Sequence, residues 1–281
     1  MKRTFIVAEA GANHNRDINL AFKLIDNAKW AGADAVQFQT YSSETLYARN
    51  TPDFAGYRNI NQLIKEIELP REWQNDLKTY CDNQGIEFMS TPFDEKAVDQ
   101  LVGLGVKRLK IAGFESTDFR FVEMVASAAL PLIISLGIGF DHKYIERLIE
   151  IAEKYGNHLT LLHCNNAYPT PMKDIDLNKV KQLAGDTRYS CGLSDHTESV
   201  ITPALAVAVG AETIEKHFTL DKTMKGPDHP FALEPGDLKQ MVSYIRLCEE
   251  AFIENKNLYS RSEMSFINAR RSVVTRIAIN P

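Results

Sequence analysis

No run of apolar residues in this chain approaches the ~18 that a membrane-spanning helix needs, and none of its four cysteines falls in a CxxC pair. The first absence excludes a helical span. With Cys81, Cys164, Cys191 and Cys248 scattered along the sequence, neither a zinc knuckle nor a disulfide framework is indicated. An excess of basic charge is lacking too: 32 Lys and Arg against 37 Asp and Glu give a net charge of -5. That balance argues against a nucleic-acid or membrane-surface binder, so an anionic substrate needs a local basic site. Residues 1–9 enter a strand-like stretch at once, without the apolar core and cleavage site of a signal peptide. The expectation is a cytoplasmic protein acting on small molecules, with no nucleic-acid and no membrane partner.

What is present is rhythm. The 281 residues, 44% hydrophobic and 25% charged, suit one large barrel or two ordinary domains. Residues 4–8 read as a buried strand, followed by a polar turn at 11–15 and a helix with Leu20, Ala21, Leu24, Ile25 and Ala28 on one face, closed by Gly32. Further strands are expected at 35–38, 87–90, 108–111, 132–135, 159–162, 189–193 and 213–216. Helices are expected at 71–83, 95–104, 119–128, 143–155, 177–183, 201–209 and 237–253, with a long loop after the second strand. Eight such units with near-continuous apolar strands match an α/β fold of the (β/α)8 TIM-barrel type better than a doubly wound sheet. Residues 1–255 are read as that barrel and 256–281 as a basic tail, with 273–279 a short strand in need of a partner.

In such a barrel the site lies at the C-terminal strand ends. Polar residues collect there: Glu9, Asn13 and His14; Gln37, Gln39 and Thr40; Ser90 and Thr91; Lys110 and Glu115; Ser135; His163, Asn165, Asn166 and Tyr168; Ser194, Asp195 and His196; Glu215, Lys216 and His217. The hub is the pair of segments 192–197 and 214–219, each an apolar run that delivers one histidine at its end. A lone histidine at a strand end is more often a hydrogen-bonded structural residue than a ligand. Two at equivalent places on neighbouring parallel strands, roughly 5 Å apart, suit one shared divalent metal. For Lys110 the competing reading is a barrel-lining ion pair with Glu115, and for residues 90–93 a plain strand-ending turn.

Ala8-Glu9-Ala10-Gly11-Ala12-Asn13-His14, Phe38-Gln39-Thr40, Ser90-Thr91-Pro92-Phe93, Lys110-Ile111-Ala112, Leu162-His163-Cys164, Tyr168-Pro169-Thr170-Pro171, Gly192-Leu193-Ser194-Asp195-His196-Thr197, Ile214-Glu215-Lys216-His217-Phe218 and Gly226-Pro227-Asp228-His229 together resemble the sialic acid synthase family. The resemblance runs from about residue 4 to residue 255. It implies condensation of phosphoenolpyruvate with an N-acetylated amino sugar, N-acetylmannosamine or a dideoxy diamino hexose, to a nine-carbon nonulosonic acid and phosphate. It further implies a Mn²⁺ or Mg²⁺ ion on His196 and His217 that polarises the sugar carbonyl, Glu9 handling protons, and a homodimer. Lys110, Thr91, Ser135, Asn166 and Ser194 are implied for the phosphoenolpyruvate, and Tyr168, Glu115 and Asp228 for the sugar.

Several positions depart from that family. Gln37 stands in the substrate site where a lysine is usual, which leads us to expect weaker phosphoenolpyruvate binding, because a charge-assisted hydrogen bond is roughly twice as strong as a neutral one. Gly113 and Leu136 stand where a serine and a threonine are common. An Arg-Arg-Ser linker like Arg270-Arg271-Ser272 leads in the family to an antifreeze-like domain that reaches the partner's barrel; this sequence stops at Pro281, and is read as the barrel without that domain. Two other readings compete: a Schiff-base aldolase using Lys110 or Lys216, and a catalytically impaired binding relative.

Overall fold

The computed structural model describes residues 2–48, 50–53, 58–186, 188–254, 256–272 and 276. Eight strands lie in one parallel sheet: β1 (Phe5–Gly11), β2 (Ala35–Thr40), β3 (Glu87–Pro92), β4 (Leu109–Ile111), β5 (Leu132–Ser135), β6 (Leu159–Cys164), β7 (Ser190–Asp195) and β8 (Thr213–His217). Their order is β3-β2-β1-β8-β7-β6-β5-β4, and the two end strands β3 and β4 stand side by side. The sheet is a nearly closed (β/α)8 barrel. Helices α1 (Ile18–Ala31), α2 (Ile60–Ile67), α3 (Gln74–Gln84), α4 (Glu95–Gly103), α5 (Phe119–Ala126), α6 (His142–Tyr155), α7 (Asn178–Leu183), α8 (Thr202–Ala208) and α9 (Pro235–Ala251) surround it. Among the described residues no helix is long and apolar enough to cross a membrane.

Local chemistry sets the helix ends. Asp17, Asp94, Asp118 and Asp141 each accept a backbone N–H at the start of α1, α4, α5 and α6, and Gly32, Gly85 and Gly156 close α1, α3 and α6 in the left-handed conformation. The pleat then sorts the strands. Ile6, Ala8, Val36, Phe38, Phe88, Ile111, Ile134, Leu161, Leu193 and Ile214 point outward into one core shared with the helices, whereas Val7, Ala35, Met89, Ile133 and Leu162 form a small cluster inside the barrel above Phe5. Two residues farther along the same strands stand Glu9, Gln37, Thr91, Ser135 and Cys164, all buried. Period-two alternation therefore stacks a polar layer on an apolar one at the C-terminal end.

The expected elements lie within a few residues of the observed ones, with one correction. The segment expected as a long loop contains α2, whose Ile60 and Ile64 bury against Tyr41 and Phe93 in a satellite cluster beside the barrel. Spacing of one helical turn between those isoleucines was the available signal. The short strand expected at 273–279 lies outside the described residues apart from Arg276. Before it, a 3-10 helix (Glu263–Ala269) leaves Met264 and Phe266 exposed.

The inner wall has little slack. A Cβ on Gly192 of β7 would lie 2.0 Å from the Thr213 carbonyl oxygen and 2.7 Å from Leu162 Cδ2. Gly192→Ala is expected to destabilise by about 3 kcal/mol, because the obstacle is backbone and overpacking usually costs 1–3. Calorimetry should show this as a melting point about 6 °C or more lower. Gly103→Ala, whose added Cβ would meet nothing within 4 Å, serves as the control and is expected to unfold like the wild type or slightly later.

Candidate active site

The polar layer is wired around two glutamates. The Gln37 amide donates to Glu9 Oε2 and, at 3.0 Å, to Glu215 Oε2. Gly11 N–H donates to Glu9 Oε1 at 2.6 Å, and Ser194 Oγ donates to Glu215 Oε1 at 2.8 Å. Lys110 Nζ lies 3.3 Å from that same Glu215 oxygen, with both side chains buried. The ion pair considered between Lys110 and Glu115 is thus replaced by one with Glu215, reached across the barrel from β4 to β8. Burial, and then repulsion from Glu215, push Glu9 well above the ordinary carboxyl range. Burial also works to raise Glu215, but Lys110 and the Ser194 and Gln37 donors outweigh it and hold Glu215 low. The layer therefore sets one lysine against two carboxyl groups, and of the two it is Glu9 that burial drives toward its protonated form.

Beside this layer His196 and His217 stand with ring centres 5.5 Å apart. Two imidazoles sharing one cation at nitrogen–metal distances of about 2.1 Å have ring centres within about 6.5 Å of each other, so the pair meets that limit. The His196 Nδ1–H donates to the Asn165 carbonyl at 2.7 Å, which leaves Nε2 as a lone-pair donor. His217 Nδ1 is buried without a partner. Burial lowers both pKa values to about 4, helped at His196 by the neighbouring His217, so the rings are neutral at pH 7. Among the described residues no group of three or more His, Cys, Asp or Glu side chains gathers as a metal cage. The donor set fits a cation held by two protein nitrogens with its other positions left to water and ligand.

The segment after β6 wraps His196. Tyr168 packs its ring 4.2 Å from the His196 ring centre, and Thr170 N–H donates to the His196 carbonyl at 2.9 Å. Phe231, in a 3-10 turn (His229–Phe231), stands 5.2 Å from the His217 ring. Sequence reasoning missed Phe231, because it comes from a loop with no spacing relative to the strands. On the other side Gly11 has φ +50°, and a Cβ there would lie 2.6 Å from Asp228 Oδ2 and 3.3 Å from His217. Only glycine lets β1 close against these two groups. Asp228 accepts from Ala12 N–H at 3.3 Å, the His229 ring bridges Thr219 and Asn15, and the Asn13 amide donates to the Phe218 carbonyl at 2.8 Å. These bonds staple the β1 and β8 loops together across the mouth.

Thr91, Ser135 and Ser194 all reach the inner layer, and Ser135 Oγ is buried without a partner, as is Glu115 Oε2 at the rim. Asn166 is half-buried, and its Oδ1 lies 2.4 Å from where a Gly113 Cβ would sit. The amide thus fills space that a side chain at 113 would use. Tyr168 remains 45% exposed, leaving the entrance open. Cys164, which we did not expect at the site, lies in the same layer, its thiol pushed up to about 12 by burial.

Other mouth candidates turn away. Ser90 bonds Thr40 in the layer between sheet and helices, and His163 bonds the Ile175 carbonyl. Lys216 also points outward, to Asp195 at 2.7 Å. It is therefore no imine nucleophile for a substrate inside the barrel; of the two lysines considered, only Lys110 faces the mouth.

The arrangement is that of a (β/α)8-barrel enzyme with its site at the C-terminal mouth. The chain belongs to the NeuB family, whose pattern matches residues 24–257. It is similar to the N,N'-diacetyllegionaminic acid synthase of Legionella pneumophila subsp. pneumophila, at 40% identity over 285 residues that cover 97% of this chain and 80% of that protein. It is similar to the N-acetylneuraminate-9-phosphate synthase of Homo sapiens at 31% identity, covering 88% and 70% of the two chains. Among solved structures, the N-acetylneuraminic acid (sialic acid) synthetase of Leptospira borgpetersenii serovar Hardjo-bovis superposes with a TM-score of 0.87 at 34% identity, covering 96% of this chain and 92% of that one.

The proton on Glu9 has a thermodynamic signature. The folded state holds it more tightly than the unfolded chain, so this group's contribution to stability declines as pH rises from the unfolded carboxyl range through the raised folded value. Glu9→Gln removes that decline. Its melting point is expected to exceed the wild type's at pH 8, and the gap should close toward pH 4.5 in scanning calorimetry.

Proposed function

We propose that this protein is a phosphoenolpyruvate-dependent nonulosonic acid synthase. It would join phosphoenolpyruvate to the open-chain form of an N-acetylated amino sugar, N-acetylmannosamine or a dideoxy diamino hexose, releasing inorganic phosphate. The single observation that supports this most is the juxtaposition at one mouth of two neutral imidazoles and a buried cradle of the Lys110 side chain with the unpartnered Ser135 hydroxyl. Membership of the NeuB family, with relatives named as synthases of such acids, points the same way.

His196 and His217 are the residues that would hold Mn²⁺ or Mg²⁺. When bound, the ion supplies Lewis-acid polarisation of the sugar carbonyl. Lys110 meets the negative charge of phosphoenolpyruvate, Thr91, Ser135 and Asn166 donate hydrogen bonds to its phosphate and carboxylate, and Ser194 joins them by turning its hydroxyl from Glu215. Because Glu215 already engages Lys110, the substrate anion shares that ammonium rather than owning it. Gln37 adds no charge, which weakens the hold further. Tyr168, Glu115 and Asp228 line the entrance for the sugar's hydroxyls and amide. Glu9, which burial pushes toward its protonated form, is placed to give a proton to the sugar oxygen as the enol carbon attacks. Its carboxylate is then placed to accept one from the water that adds at C2 before phosphate leaves.

The test is turnover. Metal-stripped protein is incubated with phosphoenolpyruvate, Mn²⁺ and each candidate sugar, and phosphate and nonulosonate are assayed; no product from any of them counts against the reading. His196→Ala and His217→Ala are each expected to lower kcat at least about a hundredfold, and EDTA should do the same reversibly. Borohydride with pyruvate should leave no adduct on Lys110, which separates this chemistry from an aldolase. Gln37→Lys restores a second cation and is expected to lower the KM for phosphoenolpyruvate by about tenfold, the difference between a neutral and a charged hydrogen bond.

A further inference from the structure

We infer that the buried ion pair of Asp195 and Lys216, on the outer face of the sheet, fixes the separation of His196 and His217. Both residues are then positioning residues for the cation site, an inference that rests on the reading of that site given above. The two strands alternate: Ser194, Glu215 and His217 enter the barrel, and Asp195 and Lys216 point the other way, each at most 1% exposed. Lys216 Nζ lies 2.7 Å from Asp195 Oδ2 and also donates to the Thr197 carbonyl. Thr197 N–H donates to Asp195 Oδ1 at 2.9 Å, and its hydroxyl to Oδ2 at 3.1 Å. One ammonium therefore grips the residues on both sides of His196, and that ammonium belongs to the residue immediately before His217.

The place of this grip in the sheet matters. The β7–β8 ladder runs from Gly192 and Thr213 to Asp195 and Lys216 and stops. The two histidines are the next residues along, so no assigned ladder pair joins them. Between these two strands, the side-chain net takes over where their ladder ends. Stability does not explain the charges, because a buried ion pair is commonly matched or bettered by apolar residues of similar size. Nor does chemistry, since the ammonium faces away from the mouth. What the pair provides is a fixed geometry for the loop that carries His196.

The experiment is Mn²⁺ titration calorimetry on the full metal-stripped chain, with thermal unfolding alongside. Asp195→Leu/Lys216→Met is expected to fold with a melting point near the wild type's, yet to bind Mn²⁺ about 10–100-fold more weakly, the usual effect of losing an outer-shell partner. The KM for phosphoenolpyruvate should stay within about twofold, because Lys110 and its hydroxyls are untouched. Arg246→Met breaks the Arg246 pairs with Asp34 and Glu249 at the other end of β1; it should lower the melting point while leaving Mn²⁺ affinity within about twofold. Mn²⁺ binding by the double variant equal to the wild type's overturns the inference and leaves the cation site standing. Wild-type protein that binds no Mn²⁺ overturns both. Should the double variant not fold, Lys216→Arg decides: it is expected to weaken Mn²⁺ binding by about threefold or more, and unchanged binding overturns the inference.

Discussion

The pleat of a parallel strand inside a nearly closed wall is the constraint on which everything here depends. Each strand must send alternate residues inward, and the barrel interior admits only what its neighbours leave room for. Val7 then Glu9, Ala35 then Gln37, Met89 then Thr91, Ile133 then Ser135, and Leu162 then Cys164 obey that rule. The apolar floor excludes water from below, and the polar layer rests on it facing the mouth. A shift of one residue in any strand would put a core side chain in the site and a polar one among the helices.

Within that layer, electrostatics is decided by a shortage of cations. Two glutamates face one lysine, and the amide of Gln37 serves both carboxyl groups without charge. Low dielectric makes a second ionised carboxyl costly, which pushes Glu9 up while Lys110 holds the carboxyl beside it down. Ser135 Oγ and His217 Nδ1 are buried without a protein partner, and a buried polar atom of that kind is costly unless something bonds it.

Much of this was legible in the sequence. The barrel showed in the regular return of apolar strands, and the imidazole pair in two matching segments that end in histidine. What escaped was direction and context. Lys216 and His217 are adjacent in the chain yet face opposite sides of the sheet, and a strand whose two faces are both buried carries no polar alternation to reveal which is which. The partner of Lys110, Glu215, is more than a hundred residues away in sequence, on a wall brought close only by closure. Helix α2 was hidden by its polar surroundings, because a short satellite cluster needs few apolar residues.

The seam between β3 and β4 closes the circle without an assigned ladder. Thr91 stands on one lip and Lys110 on the other, whereas the opposite side of the mouth is stapled by Asn13, Asp228 and His229. Compliance is therefore uneven around the rim. Strain applied across the mouth would be taken up first at that seam, on the far side of the barrel from the two imidazoles.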